Sequence, residues 1–310
     1  MVVYYLMNKE RYISAVGKNI SILKEMGVTV PDGYYICPLC MRGFANGRIN
    51  SALTEEDVPQ HSLGGTRITL TCGNCNNRCG DHIDVHLLNA IRVIEQKKFL
   101  LGTDRPVVLS DGGKRLNAKL LVGHDRGITL VVNTKHNNPL NWEYFHDNIL
   151  IPNHTINVAD KSIKHDARRI SAAILKNAYL LLFANTGYTF LSDIFYDRLR
   201  EQIMDPDPFI LPERLWTAQN LNLNDGIYLT NDNQYRGFFA VYSLRLRAIY
   251  KICVLIPVPN MDYHVACMGL EKIEPNTNIS VKPLPYLDYL QDERAVRRLR
   301  DWCYGWSMDL

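Results

Sequence analysis

Apolar residues recur along this chain with two different periods, and each change of period marks an element. Between Asn8 and Met26, Ile13, Val16, Ile20 and Leu23 fall at intervals of three and four, one stripe of a helix that Gly27 closes. Asp32-Gly33 then turns the chain into Tyr34-Tyr35-Ile36, a short strand. From Met41 to Thr71 the pattern is short strands and turns, broken at Gly64-Gly65, with Arg67 to Thr71 alternating as a strand. Past Cys75 the period lengthens again. Ile83, Leu87, Ala90 and Ile94 predict a helix from about Gly80 to Lys98, with the cysteine pair at its start.

Residues Pro106 to Thr134 read as strands joined by hairpin-type turns at Asp111-Gly112-Gly113 and Asp125-Arg126-Gly127. Asn137 to Asp160, rich in Asn, Pro and His and without periodicity, reads as a linker or surface loop. Ile163, Ala167, Ile170, Ile174 and Leu181 share one face of a long helix ending near Gly187, and a second helix, about Leu191 to Met204, stops at Asp205-Pro206. Aromatic and β-branched residues from Gly226 to Gly269 predict antiparallel strands. Asp292 to Trp302 predicts a last helix, and there is no internal repeat.

Length adds a prior of about two domains, which the pattern places at 1–104 and 105–310. At 46% apolar and 22% charged residues, the composition is that of a soluble globular protein. The longest apolar stretch, Ala178 to Ala184, falls far short of the roughly 20 residues that cross a bilayer, so no membrane association is expected. Lys9, Glu10 and Arg11 stand where a secretory signal would need its apolar core, which points to a cytoplasmic protein. A net charge of +3 excludes a strongly basic nucleic-acid coat and confines any nucleic-acid surface to a local patch.

Eight cysteines in such a chain point to metal binding or packing rather than to disulfides. Cys37 and Cys40 form one Cys-x-x-Cys pair, and Cys72 and Cys75 form another. Each pair offers two thiolates from a tight turn, and four sulfurs complete a closed, tetrahedral structural zinc site. A thioredoxin-type redox site needs one reactive pair rather than two matched ones. Cys79 is either a substitute ligand or a small buried residue, and Cys253, Cys267 and Cys303 have no partner spacing and read as core.

The residues between and after the pairs carry a resemblance. Leu53-Thr54-Glu55-Glu56-Asp57-Val58-Pro59, then Leu63-Gly64-Gly65, then Leu70-Thr71-Cys72-Gly73-Asn74-Cys75-Asn76-Asn77 with Gly80, resembles a zinc-containing branch of the HNH endonucleases. In that branch a cysteine pair precedes a Glu-His-Val-Pro-like strand, a Gly-Gly turn leads to the second pair, and Asn follows its last cysteine. The likeness covers roughly Cys37 to Asn89. It implies a ββα-metal (treble-clef) module and metal-dependent hydrolysis of a nucleic-acid phosphodiester, with Mg²⁺ or Mn²⁺ as the catalytic ion and a strand histidine as base.

Carried over residue by residue, the family's histidine falls at Asp57, its asparagine at Asn76, and an Asp-x-His of related sequences at Asp84 and His86. Asp57 and Asp84 are the expected hard oxygen ligands, with His61 or His86 as the acid–base group. On a helix His82 and His86 would share a face while Asp84 points away. A carboxylate, with an ordinary pKa near ~4, is a weaker base than an imidazole near ~6.5. That substitution motivates an alternative function, a zinc-containing nucleic-acid-binding or regulatory protein that has lost cutting.

Outside the module, Arg236, Arg245, Arg247 and Lys251 lie among aromatics without an acid between Tyr235 and Lys251, a pattern that can track a phosphate backbone and stack bases. Read as one strand from Ser243 to Tyr250, the segment puts Arg245 and Arg247 on the same face. The fold expected is α+β: the zinc-stabilised module, then a mixed region with a long helix and antiparallel strands. The reading is a metal-dependent endonuclease acting on nucleic acid, DNA before RNA. Its later residues would position DNA, recognise a trigger, or hold a partner protein or second copy, in the restriction, anti-phage or mobile-element settings that the resemblance implies.

Overall fold

The computed structural model describes residues 9–29, 33–45, 49–149, 151–152, 155–190, 193–208, 216–218, 222–230, 236–259, 280–284, 290 and 292–305. The fold is mixed, helices with antiparallel sheets, and among the described residues no helix is long and apolar enough to cross a membrane. Helix α1 (Lys9–Glu25) buries Tyr12, Val16, Asn19 and Leu23, with Ile13 and Ile20 flanking that stripe. Gly27, in the left-handed region at φ 79°, closes it as expected. Strand β1 (Tyr34–Ile36) pairs with β2 (Gly43–Ala45), and the helical turn α2 (Ile49–Ala52) leads into a hairpin of β3 (Leu53–Val58) and β4 (Thr66–Cys72).

Between β3 and β4, Gly64 sits at φ 79° and Gly65 passes so close to Pro59 that a Cβ there would lie 1.4 Å from the Pro59 carbonyl oxygen. No side chain fits without opening the turn. Gly65→Ala is therefore expected to lower stability by ~2–4 kcal/mol, read as a drop in the urea midpoint; an unchanged midpoint would contradict this close approach.

Helix α3 (Gly73–Cys79) begins at the second cysteine pair and runs through a π turn (Gly80–Asp84) into α4 (Val85–Lys97). The π turn admits an extra residue and rotates the helix beyond it. Ile83, Leu87, Ile91 and Glu95 are buried at a spacing of four, while Ile94, expected on the inner face, is exposed.

The strands expected from Pro106 to Thr134 are β5 (Asp104–Asp111), β6 (Lys114–Val122) and β7 (Ile128–Val132), with turns at the two predicted glycine sites. The segment read as a linker is structured instead. Asn138 caps α5 (Pro139–Asn148) by accepting from the Leu140 N–H, Pro139 opens the helix, and β8 (Asn157–Asp160) adds an edge to β5. Phe145 anchors α5 on Val107, Leu109, Leu116, Leu120 and Val122.

Helix α6 (Ala167–Thr186) is capped by Asp166, which accepts from the Arg169 N–H, so Ile163 lies before the helix rather than on it. Instead of one buried face it is buried all round from Ala172 to Phe183. Helix α7 (Ile194–Met204) ends at Asp205-Pro206 as predicted. A five-stranded antiparallel sheet comes next, comprising β9 (Trp216–Ala218), β10 (Gly226–Thr230), β11 (Gly237–Arg245), β12 (Ile249–Pro257) and β13 (Lys282–Pro283), in the order β13-β10-β11-β12-β9. Strands expected between Met261 and Gly269, with Cys267, lie outside the described residues. The last helix, α8 (Glu293–Cys303), is capped by Asp292 and buries Val296, Leu299 and Trp302.

The chain divides into two compact units, and the division differs from 1–104 and 105–310. The larger comprises Met1–Leu88, Asp166–Arg245 and Ile249–Leu310; the smaller comprises Asn89–His165 with Leu246–Ala248. Within the larger unit, buried tyrosines join the cysteine-bearing strands to later elements. The Tyr179 hydroxyl donates to the Pro38 carbonyl at 2.8 Å, Tyr188 bridges the backbone of Ile36, and Tyr242 on β11 donates to the Ile174 carbonyl of α6. The cysteine module shares its interior with α6 and the large sheet, so a boundary after residue 104 would cut through one core.

Candidate functional site

Four sulfurs meet where β1, β4 and α3 converge. Cys37 and Cys40 bracket a tight turn closed by the Met41 N–H donating to the Cys37 carbonyl, with Met41 at φ 59°. Cys72 ends β4 and caps α3, and Cys75 lies in the first turn of that helix. The ligand atoms of Cys37, Cys40, Cys72 and Cys75 all lie within 4.8 Å of one another. Cys40 and Cys72 Sγ are 3.7 Å apart, against an edge of ~3.8 Å for a zinc–thiolate tetrahedron built on bonds of about 2.3 Å.

The donor set fits zinc. The Cys72 N–H points at Cys37 Sγ from 3.4 Å, a bond that favours sulfur in its charged form. Cys37 and Cys75 thiols hydrogen-bonding to Cys40 draw it down to about 2, while Cys37 is pushed up to about 12 and Cys75 is also raised. Four sulfurs brought this close together form a ready cation site. Cys79 lies outside this group of four and faces a different neighbourhood; its thiol is pushed up to about 12, chiefly by burial.

That neighbourhood is a charge cluster that sequence reasoning missed. Lys176, in the middle of α6, has a side chain with no solvent exposure. Its Nζ donates to Glu56 Oε1 on β3 at 2.9 Å and to Asp84 Oδ2 at the end of the π turn at 2.5 Å. Glu56 Oε2 accepts from the buried Thr71 hydroxyl at 2.9 Å. Asp84 Oδ1 is buried and has no hydrogen-bond partner among the described residues. Burial alone would pull the lysine's pKa down, but the two carboxylates beside it hold the ammonium above its ordinary range. Burial raises Asp84, against the pull of Lys176. One signal was available: Lys176 is the only charged residue between Arg169 and Asp193.

The expected catalytic residues are not all brought together. Asp57, half-buried on β3, lies close enough to His61 and Arg67 for both to lower its carboxyl, although burial leaves the net shift upward. His61 is exposed in the helical turn after β3. Asn76 donates to Thr54 Oγ1 at 3.0 Å, tying α3 to β3. Asp84 faces inward to Lys176, whereas His82 is exposed and His86 half-buried. Asp166, held low first by the Arg169 N–H, also feels His86.

The four basic residues expected on a nucleic-acid surface have partners of their own. Arg236 stacks over the Trp302 ring at 5.0 Å and donates to the Trp302 carbonyl. Lys251 binds the Leu223 carbonyl at 2.7 Å and Asp225 at 3.1 Å, and Arg245 lies 3.7 Å from Asp225. The single strand expected from Ser243 to Tyr250 is a hairpin: β11 ends at Arg245 and β12 begins at Ile249. In the smaller unit, Arg247 and Ala248 donate their backbone N–H groups to Glu95, and the Arg247 guanidinium lies 3.8 Å from the same carboxylate. No family model, curated protein or solved structure matches this chain.

Proposed function

We propose that the cysteine module is a zinc-held nuclease centre of the HNH-like kind, hydrolysing phosphodiester bonds in nucleic acid, DNA before RNA. The observation that carries this reading is the order of elements around the four sulfurs: a cysteine turn, a β-hairpin and a helix opened by the second pair, with Asp57 and His61 neighbours on the accessible part of the hairpin. Asp57 would hold Mg²⁺ or Mn²⁺, which would supply charge stabilisation to the phosphate and the leaving oxygen. His61, an exposed imidazole, takes the proton from the attacking water. Asn76 fixes the spacing of α3 from β3.

A second reading, a binding protein that no longer cuts, is favoured by one observation. Glu56 on β3 and Asp84 on the π turn are committed to Lys176. Plasmid cleavage by the zinc-loaded protein with Mg²⁺ or Mn²⁺ separates the two. Cleavage reduced at least ~100-fold in Asp57→Ala and in His61→Ala, with zinc retained, supports the nuclease; His86→Ala, with no role in this reading, should retain most activity. No metal-stimulated cleavage, together with nucleic-acid binding in a gel shift, supports the second reading.

A further inference from the structure

Two carboxylates, one of them with an oxygen that makes no hydrogen bond among the described residues, converge in the interior of the larger unit, the chemistry of a hard divalent-cation site. Glu56 Oε1 and Asp84 Oδ2 lie 2.9 and 2.5 Å from one point, and that point is Lys176 Nζ. Oxygen ligands sit about 2.3–2.6 Å from Ca²⁺ and about 2.0–2.1 Å from Mg²⁺. A shift of a few tenths of an ångström would bring both oxygens to ionic distance. Asp84 Oδ1, buried without a partner, would make the aspartate bidentate.

We infer that Lys176 is a built-in cation occupying an internal site for a hard divalent ion, so that Glu56 and Asp84 recruit no metal while it is present. The ammonium reaches the site from α6 on a stem that is itself fully buried. Any divalent ion that this protein uses is held elsewhere, and Asp84 is an interior anchor instead of a catalytic ligand. The inference goes beyond the nuclease reading and stands whether or not the protein cuts nucleic acid.

Mn²⁺ binding to the zinc-loaded protein, followed by the electron paramagnetic resonance of free Mn²⁺, tests it. Wild type and Asp84→Asn should bind Mn²⁺ alike. Lys176→Ala, which opens room for an ion and its waters, should gain one site at least about tenfold tighter than any in wild type. That site should disappear in Lys176→Ala/Asp84→Asn, and Mn²⁺ should raise the melting temperature of Lys176→Ala by more than that of wild type. Weakened Mn²⁺ binding in Asp84→Asn on the wild-type background would overturn the inference. So would a folded, zinc-loaded Lys176→Ala with no new site, or one that stays unfolded in Mn²⁺.

Discussion

Replacing Cys75 by serine will release the zinc and unfold the larger unit. A serine hydroxyl does not ionise at neutral pH and cannot serve as the fourth thiolate, which leaves three sulfurs for the ion, Cys37 and Cys72 buried and Cys40 partly exposed. Structural zinc contributes folding free energy outright, an apparent ~10–16 kcal/mol in isolated zinc-finger peptides. Even half of the lower figure, at about 2–4 °C per kcal/mol for a protein of this size, lowers the melting temperature by more than ~10 °C. The measurements are zinc content and thermal unfolding of wild type, Cys75→Ser and Cys79→Ser. Cys79, outside the four-sulfur cluster, should keep its zinc as serine. A wild type that carries no metal and melts unchanged in a strong chelator would refute the zinc site.

Replacing Lys176 by methionine should be nearly as damaging. The stem is preserved and only the ammonium is lost, leaving two carboxylates buried without their counter-charge, which costs ~3–5 kcal/mol when one partner of a buried pair is removed. The penalty has a pH signature. Asp84 already has a folded-state pKa above its ordinary value, so its contribution favours the folded protein below about pH 4 and is lost as pH rises through the folded pKa. Removing the ammonium moves that pKa further up. The stability gap between wild type and Lys176→Met should therefore be widest at pH 7–8 and narrow towards pH 5, as the variant's carboxyls take up protons. A gap independent of pH would mean that the lysine acts by packing alone.

The cysteine cluster was legible because Cys-x-x-Cys fixes its own local geometry and two such turns need only meet. The helix ends at Asp292 and Gly27 were legible for the same reason, whereas the Asp166 cap was passed over and Ile163 read as part of the helix it precedes. Glu56, Asp84 and Lys176 were not, because each is separated from the next along the chain and nothing local in the sequence says that a strand, a π turn and a helix bring them together. Helix α5 was missed because only Phe145 is fully buried among its polar neighbours, too little to produce a period. The hairpin at 246–248 was missed because no Gly, Pro or Asn marks the turn. The basic stripe failed with it, since the acids that engage it, Asp225 and Glu95, come from other parts of the sequence.

Helix α6, buried on every side and carrying the lysine, also sets an order of events during synthesis. Asp84 precedes Lys176 by 92 residues, which at roughly 5–20 residues per second leaves the two acids without their cation for about 5–20 s after they are made. The ribosome thus releases the cysteine module before the helix and sheet that complete its interior. In that interval the module's long-range ties are its four clustered cysteines and the hydrogen bonds that the Tyr12 and Tyr35 hydroxyls make to Thr69 and to the Leu70 carbonyl. A zinc ion taken up by the four cysteines in that interval would fix one end of the hairpin before the charge encoded much later in the message arrives.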